Sequence, residues 1–288
     1  MNLKLKTKSY NPTLRILITT SLVLIISVFV IGSFYDLKIA EKLVNKESLY
    51  GQTFDIFGKI AIIIPLNFII VGLVYHYVFY KGITKTQGSF IIIIFEILVL
   101  FIFLMIESIF FRSNKLLPLQ FNALIIIIFD LIISYFWHKN IELVKDKNLV
   151  KKIILAIVFV LLIYLSTEIL KNVVSRPRPR NVIDGTYEYH AWWQFDWSNA
   201  IIGKNKSFPS GHTTSAMSLL APIFVMNRKS VIVPINFAIA LLFAILTAGS
   251  RMVLAAHFLT DVTGAMIISI IIFSFLLSIK FKKGKTYE

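Results

Sequence analysis

The sequence predicts an all-α, polytopic membrane protein, and three observations carry that prediction. Hydrophobic residues make up 57% of the 288 and charged residues only 16%, where a soluble domain carries roughly a quarter charged. Mean hydropathy is +0.78. The apolar residues fall in runs long enough to cross a bilayer, which takes about 20 residues through about 30 Å of hydrocarbon, and the Lys and Arg residues gather in the segments between those runs.

Taken in order, the first run follows Lys4, Lys6 and Lys8 and covers about 15–35. It is longer than a signal-peptide core and has no clear small-residue cleavage site, so it reads as a retained anchor. Further spans are expected near 58–80, 89–111, 117–137, 151–171, 211–227, 231–249 and 257–279, about eight in all, within one integral membrane domain over 1–288. The sixth is short and opens with polar residues.

The formal net charge is +15 and cysteine is absent. The lack of cysteine excludes disulfides, thiolate catalysis and cysteine metal sites. A basic balance suits nucleic acid, an anionic membrane surface or an anionic substrate, and the scatter of basic residues over short loops argues against nucleic acid. With the N-terminus inside, the positive-inside rule places Lys81, Lys85, Lys139, Lys145, Lys151 and Lys229 on the cytoplasmic side, together with the C-terminal lysines. Both termini are then cytoplasmic. The first outer loop balances Lys38, Lys42 and Lys46 against Asp36, Glu41 and Glu47. A dense basic segment from Lys171 to Lys206 falls outside, against the rule, and an anionic substrate is the natural reason. Trp192, Trp193, Trp197, Tyr187 and Tyr189 in that segment are either interfacial anchors or a wall beside a lipid headgroup.

Three polar clusters fall at the outer ends of spans: Lys171 to Pro179, Pro209 to His212, and Ser250-Arg251 with His257 and Asp261. Lys171, Arg178 and Arg251 can neutralise a phosphate dianion, arginine with a planar two-donor fork. Pro177 and Pro179 bias Arg176 and Arg178 towards extended backbone, so both project from a stiff segment. Ser210 and Gly211 open a helix, where free N–H groups favour an anion, and Gly211 allows close backbone approach. His257 and Asp261, four apart on one helix face, suit a nucleophile and the carboxylate that orients it. His212 is placed to protonate a departing oxygen.

With those residues in place, the chain resembles the type 2 phosphatidic acid phosphatase superfamily, the lipid phosphate phosphatases, which also includes vanadium haloperoxidases and glucose-6-phosphatase. Lys171, Arg178 and Pro179 fit the first family motif, with Arg176-Pro177 off by two. Pro209, Ser210, Gly211 and His212 fit the second; Ser250, Arg251, His257 and Asp261 fit the third. The resemblance covers about 150–280 and implies a six-helix core, so the runs within 89–137 look like an inserted hairpin. It implies catalysis by His257, Asp261 and His212, phosphate binding by Lys171, Arg178, Ser210, Gly211 and Arg251, and neither metal nor cofactor.

Glu168 lies three residues before Lys171 and is placed to pair with it. Glu96 and Asp130 share a depth near the inner side and are expected to meet each other or His76. The expected activity is hydrolysis of a lipid phosphate or polyprenyl pyrophosphate, in a bacterial cytoplasmic membrane, with the site facing the periplasm or outside. The alternatives are a lipid phosphotransferase using the same intermediate and a non-catalytic lipid-binding or transport protein.

Overall fold

The computed structural model describes residues 11–80, 119–195, 205–227 and 229–279, and scattered positions between 82 and 105. Among the described residues there are helices and no strand. The helices are α1 (Pro12–Leu43), α2 (Leu49–Ile60), α3 (Ile63–Tyr80), α4 (Leu119–Lys139), α5 (Ile141–Val144), α6 (Leu149–Val174), α7 (Pro179–Ile183), α8 (Gly211–Met217), α9 (Ile232–Val253) and α10 (Leu259–Ser278), with a 3₁₀ helix at Ser218–Phe224.

Local chemistry sets the ends. Asn11 caps α1 by accepting from the Thr13 N–H at 3.0 Å, with Pro12 in the first turn, where its missing N–H costs nothing. The α2–α3 segment breaks at Ala61–Ile62 because Pro65 has no N–H to bond back four residues. α6 stops at Ser175, which turns left-handed at φ 47° just before Arg176-Pro177.

Among the described residues, five helical segments are long and apolar enough to cross a membrane: Pro12–Leu43, Leu49–Tyr80, Leu149–Ile183, Ile232–Val253 and Leu259–Ser278. Their outward faces carry exposed Leu24, Phe34, Leu161, Leu242 and Phe275, which calls for lipid as solvent. Inside, Phe159, Phe224, Phe237 and Phe273 form one ring cluster with centroids 5.3–6.1 Å apart.

The spans differ from the sequence expectation at 211–227 and at the end of α1. The 117–137 run corresponds to α4, but 89–111 lies largely outside the described residues. The 211–227 run is no long helix. It is α8 followed by the 3₁₀ turn, almost wholly buried. The Ser218 hydroxyl bonds back to the Ser215 carbonyl at 2.6 Å, and Pro222 cannot donate to residue 218, so the α-helix does not continue. α1 runs two turns beyond the expected end, to Leu43, and takes Asp36 out of the loop into buried helix.

Asp130 is also placed differently. Its Oδ1 accepts from Asn67 Nδ2 at 2.7 Å, and His76 Nδ1 lies 2.7 Å from the Val144 carbonyl, so Asp130 and His76 do not meet. Glu96 lies outside the described residues. A neutral amide offers buried Asp130 a donor without a second charge to desolvate.

Candidate active site

The first, second and third polar clusters lie at the end of α6, the start of α8 and the junction of α9 with α10. They converge on one pocket of about 490 Å³, lined by Lys171, Arg178, Gly211, His212, Arg251 and His257. Asp55, Lys59, Glu168, Arg180 and Lys206 add further charged groups to the lining. A second pocket, lined by Leu73, His76, Tyr77, Tyr80 and Val150, has one imidazole, already engaged with the Val144 carbonyl.

Each motif residue has a definite environment. Lys171 Nζ pairs with Glu168 at 2.6 Å, the pair expected from their spacing. A Cβ on Gly211 would come within 2.9 Å of Lys171 Nζ, so glycine gives the ammonium room to reach the pocket. Ser210 is fully buried and outside the pocket lining. Its Oγ accepts from the Thr213 N–H and hydroxyl, and its own N–H bonds the Asp261 carbonyl at 3.0 Å. Its Oγ therefore caps α8, and its backbone N–H ties that helix to α10.

Arg178 and Arg176 part company. Arg178 lines the pocket, whereas Arg176 is fully buried behind it. All five Arg176 donors are used: Nε to the His190 carbonyl at 2.7 Å, Nη1 to Thr260 Oγ1 at 2.8 Å and Asp261 Oδ1 at 2.6 Å, Nη2 to Asp36 Oδ2 at 2.9 Å and the Tyr189 hydroxyl at 3.3 Å. Asp36 also accepts from the Thr260 N–H at 3.0 Å and pairs with the Thr260 hydroxyl. One guanidinium thus joins α1, the segment after α7 and the start of α10.

Asp261 is held from both oxygens. Oδ1 takes Arg176; Oδ2 takes the Ser207 hydroxyl at 2.6 Å and the Phe258 N–H at 2.8 Å, the acidic half of a capping box. His257 Nδ1 lies 3.6 Å from Asp261 Oδ2 and 3.5 Å from Ser207 Oγ. The first separation exceeds a hydrogen bond, so Asp261 acts on the ring here mainly through its charge. Burial, only partly offset by Asp261, pushes the His257 imidazole down to about 4. The ring is therefore neutral, with a free lone pair, over the ordinary pH range.

His212 Nε2 lies 3.1 Å from Asp55 Oδ1 but is not aligned to hydrogen-bond it. Asp55 also pairs with Arg251 Nη1 and, at 2.9 Å, with Lys59. Arg178 Nε, Arg251 Nε and His212 Nε2 are all buried without a hydrogen-bond partner. Among the described residues no three His or carboxylate side chains gather in a way that could hold a metal ion.

Sequence reasoning missed Asp36, Asp55 and Ser207. In the aromatic segment, Trp192 is packed: its Nε1 donates to Ser33 Oγ at 3.0 Å and its ring stacks on Phe208. Trp193 and Tyr187 are exposed, and Trp197 lies outside the described residues.

Neither the curated proteins nor the solved structures provide a match to this chain. Residues 152–285 match the family model of the PAP2 superfamily. That stretch contains all three clusters, and over it the chain is similar to the PAP2 superfamily, whose members are phosphatases acting on phosphate esters.

Proposed function

We propose that this chain is a metal-independent membrane phosphatase that hydrolyses a lipid phosphate or pyrophosphate at the outer membrane face, through a phosphohistidine at His257. One observation carries the proposal. Three buried donors, one from each polar cluster, stand unpartnered on residues lining a single pocket: Arg178 Nε, His212 Nε2 and Arg251 Nε. Leaving a buried donor unmade costs about 1–3 kcal/mol. A phosphate group supplies acceptors for all three at once, with Lys171 adding charge and Gly211 close backbone.

In the first step the neutral His257 imidazole attacks phosphorus. The bond to the leaving oxygen breaks, and His212 gives that oxygen its proton. Asp261, held by Arg176 and Ser207, balances the cation that forms on His257. In the second step water attacks the phosphohistidine while His212 takes a proton, regenerating both rings. Ser210 serves by capping α8 rather than by touching phosphate. A lipid substrate suits a pocket at the end of a bundle whose helices expose apolar faces along their length. Charge asymmetry along the sequence supports an outward-facing pocket with both termini cytoplasmic, in a bacterial cytoplasmic membrane.

The test is phosphate release from mixed micelles carrying phosphatidate, phosphatidylglycerophosphate, undecaprenyl pyrophosphate or lipid A, repeated in EDTA. Release from at least one lipid, unaffected by the chelator, is expected, with acid-labile phosphoprotein trapped in the wild type and absent from His257→Ala. Phosphate passed only to an acceptor lipid would make the chain a transferase. Chelator-sensitive turnover would overturn the metal-free mechanism.

A further inference from the structure

Residues 152–285 leave out a carboxylate that stands inside the pocket. Asp55 comes from α2, nearly 100 residues before the matched stretch. Three features of α2 deliver it. The Ser250 hydroxyl donates to the Gly51 carbonyl at 2.6 Å, the Tyr50 hydroxyl donates to the Leu246 carbonyl at 2.6 Å, and Gly58 lies so close to α8 and α9 that a Cβ there would come within 2.6 Å of Thr247. The third motif's serine is thus used to dock α2, not to bind phosphate.

We propose that Asp55 is a positioning residue that, together with the substrate phosphate, favours the protonated His212 imidazole for leaving-group departure. The proposal rests on the phosphatase reading above. The groups facing His212 are Asp55 and Lys59 from α2, Lys171 from α6, Arg178 beyond it, and Arg251 and His257 across the pocket. Burial and the cations Lys59, Lys171 and Arg178 push the His212 ring down to about 3, so it holds a proton only once negative charge from Asp55 and a substrate phosphate faces it. Glu168 is engaged by Lys171. Asp55, with Oδ1 3.1 Å from Nε2, is the carboxylate that touches the ring. An opposite charge at such a distance moves a titration by about 1–3 pH units.

The chemistry balances without Asp55 changing state. As the bond from His257 nitrogen to phosphorus forms, the leaving oxygen keeps the electron pair of the breaking P–O bond and takes the ring proton of His212. His212 ends neutral and Asp55 remains ionised. An alkoxide or a terminal phosphate leaving badly needs that proton; an activated aryl oxide does not.

The experiment compares wild type, Asp55→Asn and Asp55→Glu on a lipid phosphate and on an activated aryl phosphate across pH, with vanadate inhibition as the readout of anion binding. In Asp55→Asn, kcat on the lipid should fall about 10-fold or more, while kcat on the aryl phosphate stays within about 3-fold. The basic limb of the lipid profile, where the protonated ring is lost, should move to lower pH by about one unit or more. Vanadate should bind as tightly or more tightly, because a competing carboxylate is gone. Asp55→Glu should recover part of the lipid activity. Equal loss on both substrates, an unmoved basic limb or weakened vanadate binding would each overturn the role of Asp55 while leaving the phosphatase reading intact. A wild type that hydrolyses neither substrate refutes both.

Discussion

The two histidines sit in opposite kinds of surroundings. Behind His257 the charged groups are paired and buried. Arg176, Asp36, Asp261 and Thr260 are all at most 1% exposed, and every Arg176 donor has an acceptor. Around His212 cations crowd an open pocket, three donors lack partners, and Asp55 alone is shared among Arg251, Lys59 and the ring. On the proposed mechanism, the attacking group benefits from a locked support, whereas the donors that receive the anion stay unspent until it arrives. The contrast is sharpest within one short segment: Arg176 belongs wholly to the locked side and Arg178 to the open one.

The largest effect expected from that contrast is on stability. Removing one partner of a buried ion network costs about 3–5 kcal/mol, because the remaining charges stay buried and uncompensated. Arg176→Met leaves Asp36 and Asp261 facing each other and should cost an amount of that order, seen as a lowered unfolding midpoint in detergent. Arg176→Lys should rescue little, since an ammonium has three donors where five acceptors wait. Arg178→Met should unfold near the wild-type midpoint yet lose substrate and vanadate binding. Equal stability losses for the two arginines would erase the distinction between support and cradle.

A smaller effect is expected at Ser207. Its hydroxyl is the side-chain donor on Asp261 Oδ2 and stands within 3.5 Å of His257 Nδ1. A hydrogen bond to a charged group contributes about 1.5–3 kcal/mol. Ser207→Ala should lower kcat on aryl and lipid substrates alike, by roughly 10-fold, since it disturbs the proposed nucleophile rather than the proposed acid. Unchanged kcat would reduce Ser207 to packing, and a loss confined to the lipid substrate would move it to the His212 side.

What could be read from the sequence divides along the same line. Lys171, Arg178, His212, Arg251, His257 and Asp261 stand in short strings whose spacing reflects one helix end or one turn, so their meeting could be anticipated. Asp36 and Asp55 reach partners 224 and 196 positions away, and contacts that distant leave no local pattern. Asp36 looked like a loop charge balanced by Lys38 because hydropathy ends a span where charge begins, whatever buried partner awaits it. The 211–227 run misled for the opposite reason. A buried post in the middle of a bundle is as apolar as a lipid-facing helix, and hydropathy does not register a serine bonding back to its own backbone. The family match begins at residue 152 and therefore passes over the carboxylate on α2.

The smallest expected effect lies at the pocket rim and tests whether the open side is a matter of charge or of aim. Glu168 is about half exposed, and its pair with Lys171 spans three residues of one helix. Exposed pairs of this kind contribute only about 0–1 kcal/mol and weaken with salt, so Glu168→Gln should leave the unfolding midpoint unchanged. Its effect on substrate binding has a sign that depends on what Glu168 does. If it merely offsets charge, its removal leaves a more positive pocket, and KM for a phosphate substrate should fall by up to about 3-fold at low salt, with the difference vanishing at high salt and kcat unaltered. If it aims the Lys171 ammonium at the phosphate, KM should instead rise, and should stay raised in salt because a geometric loss is not screened. We expect the first outcome. Lys171 Nζ already stands against Gly211 in the pocket, 2.9 Å from where a Cβ there would lie, and Glu168 is the more exposed partner of the pair, so the ammonium needs no aiming by it.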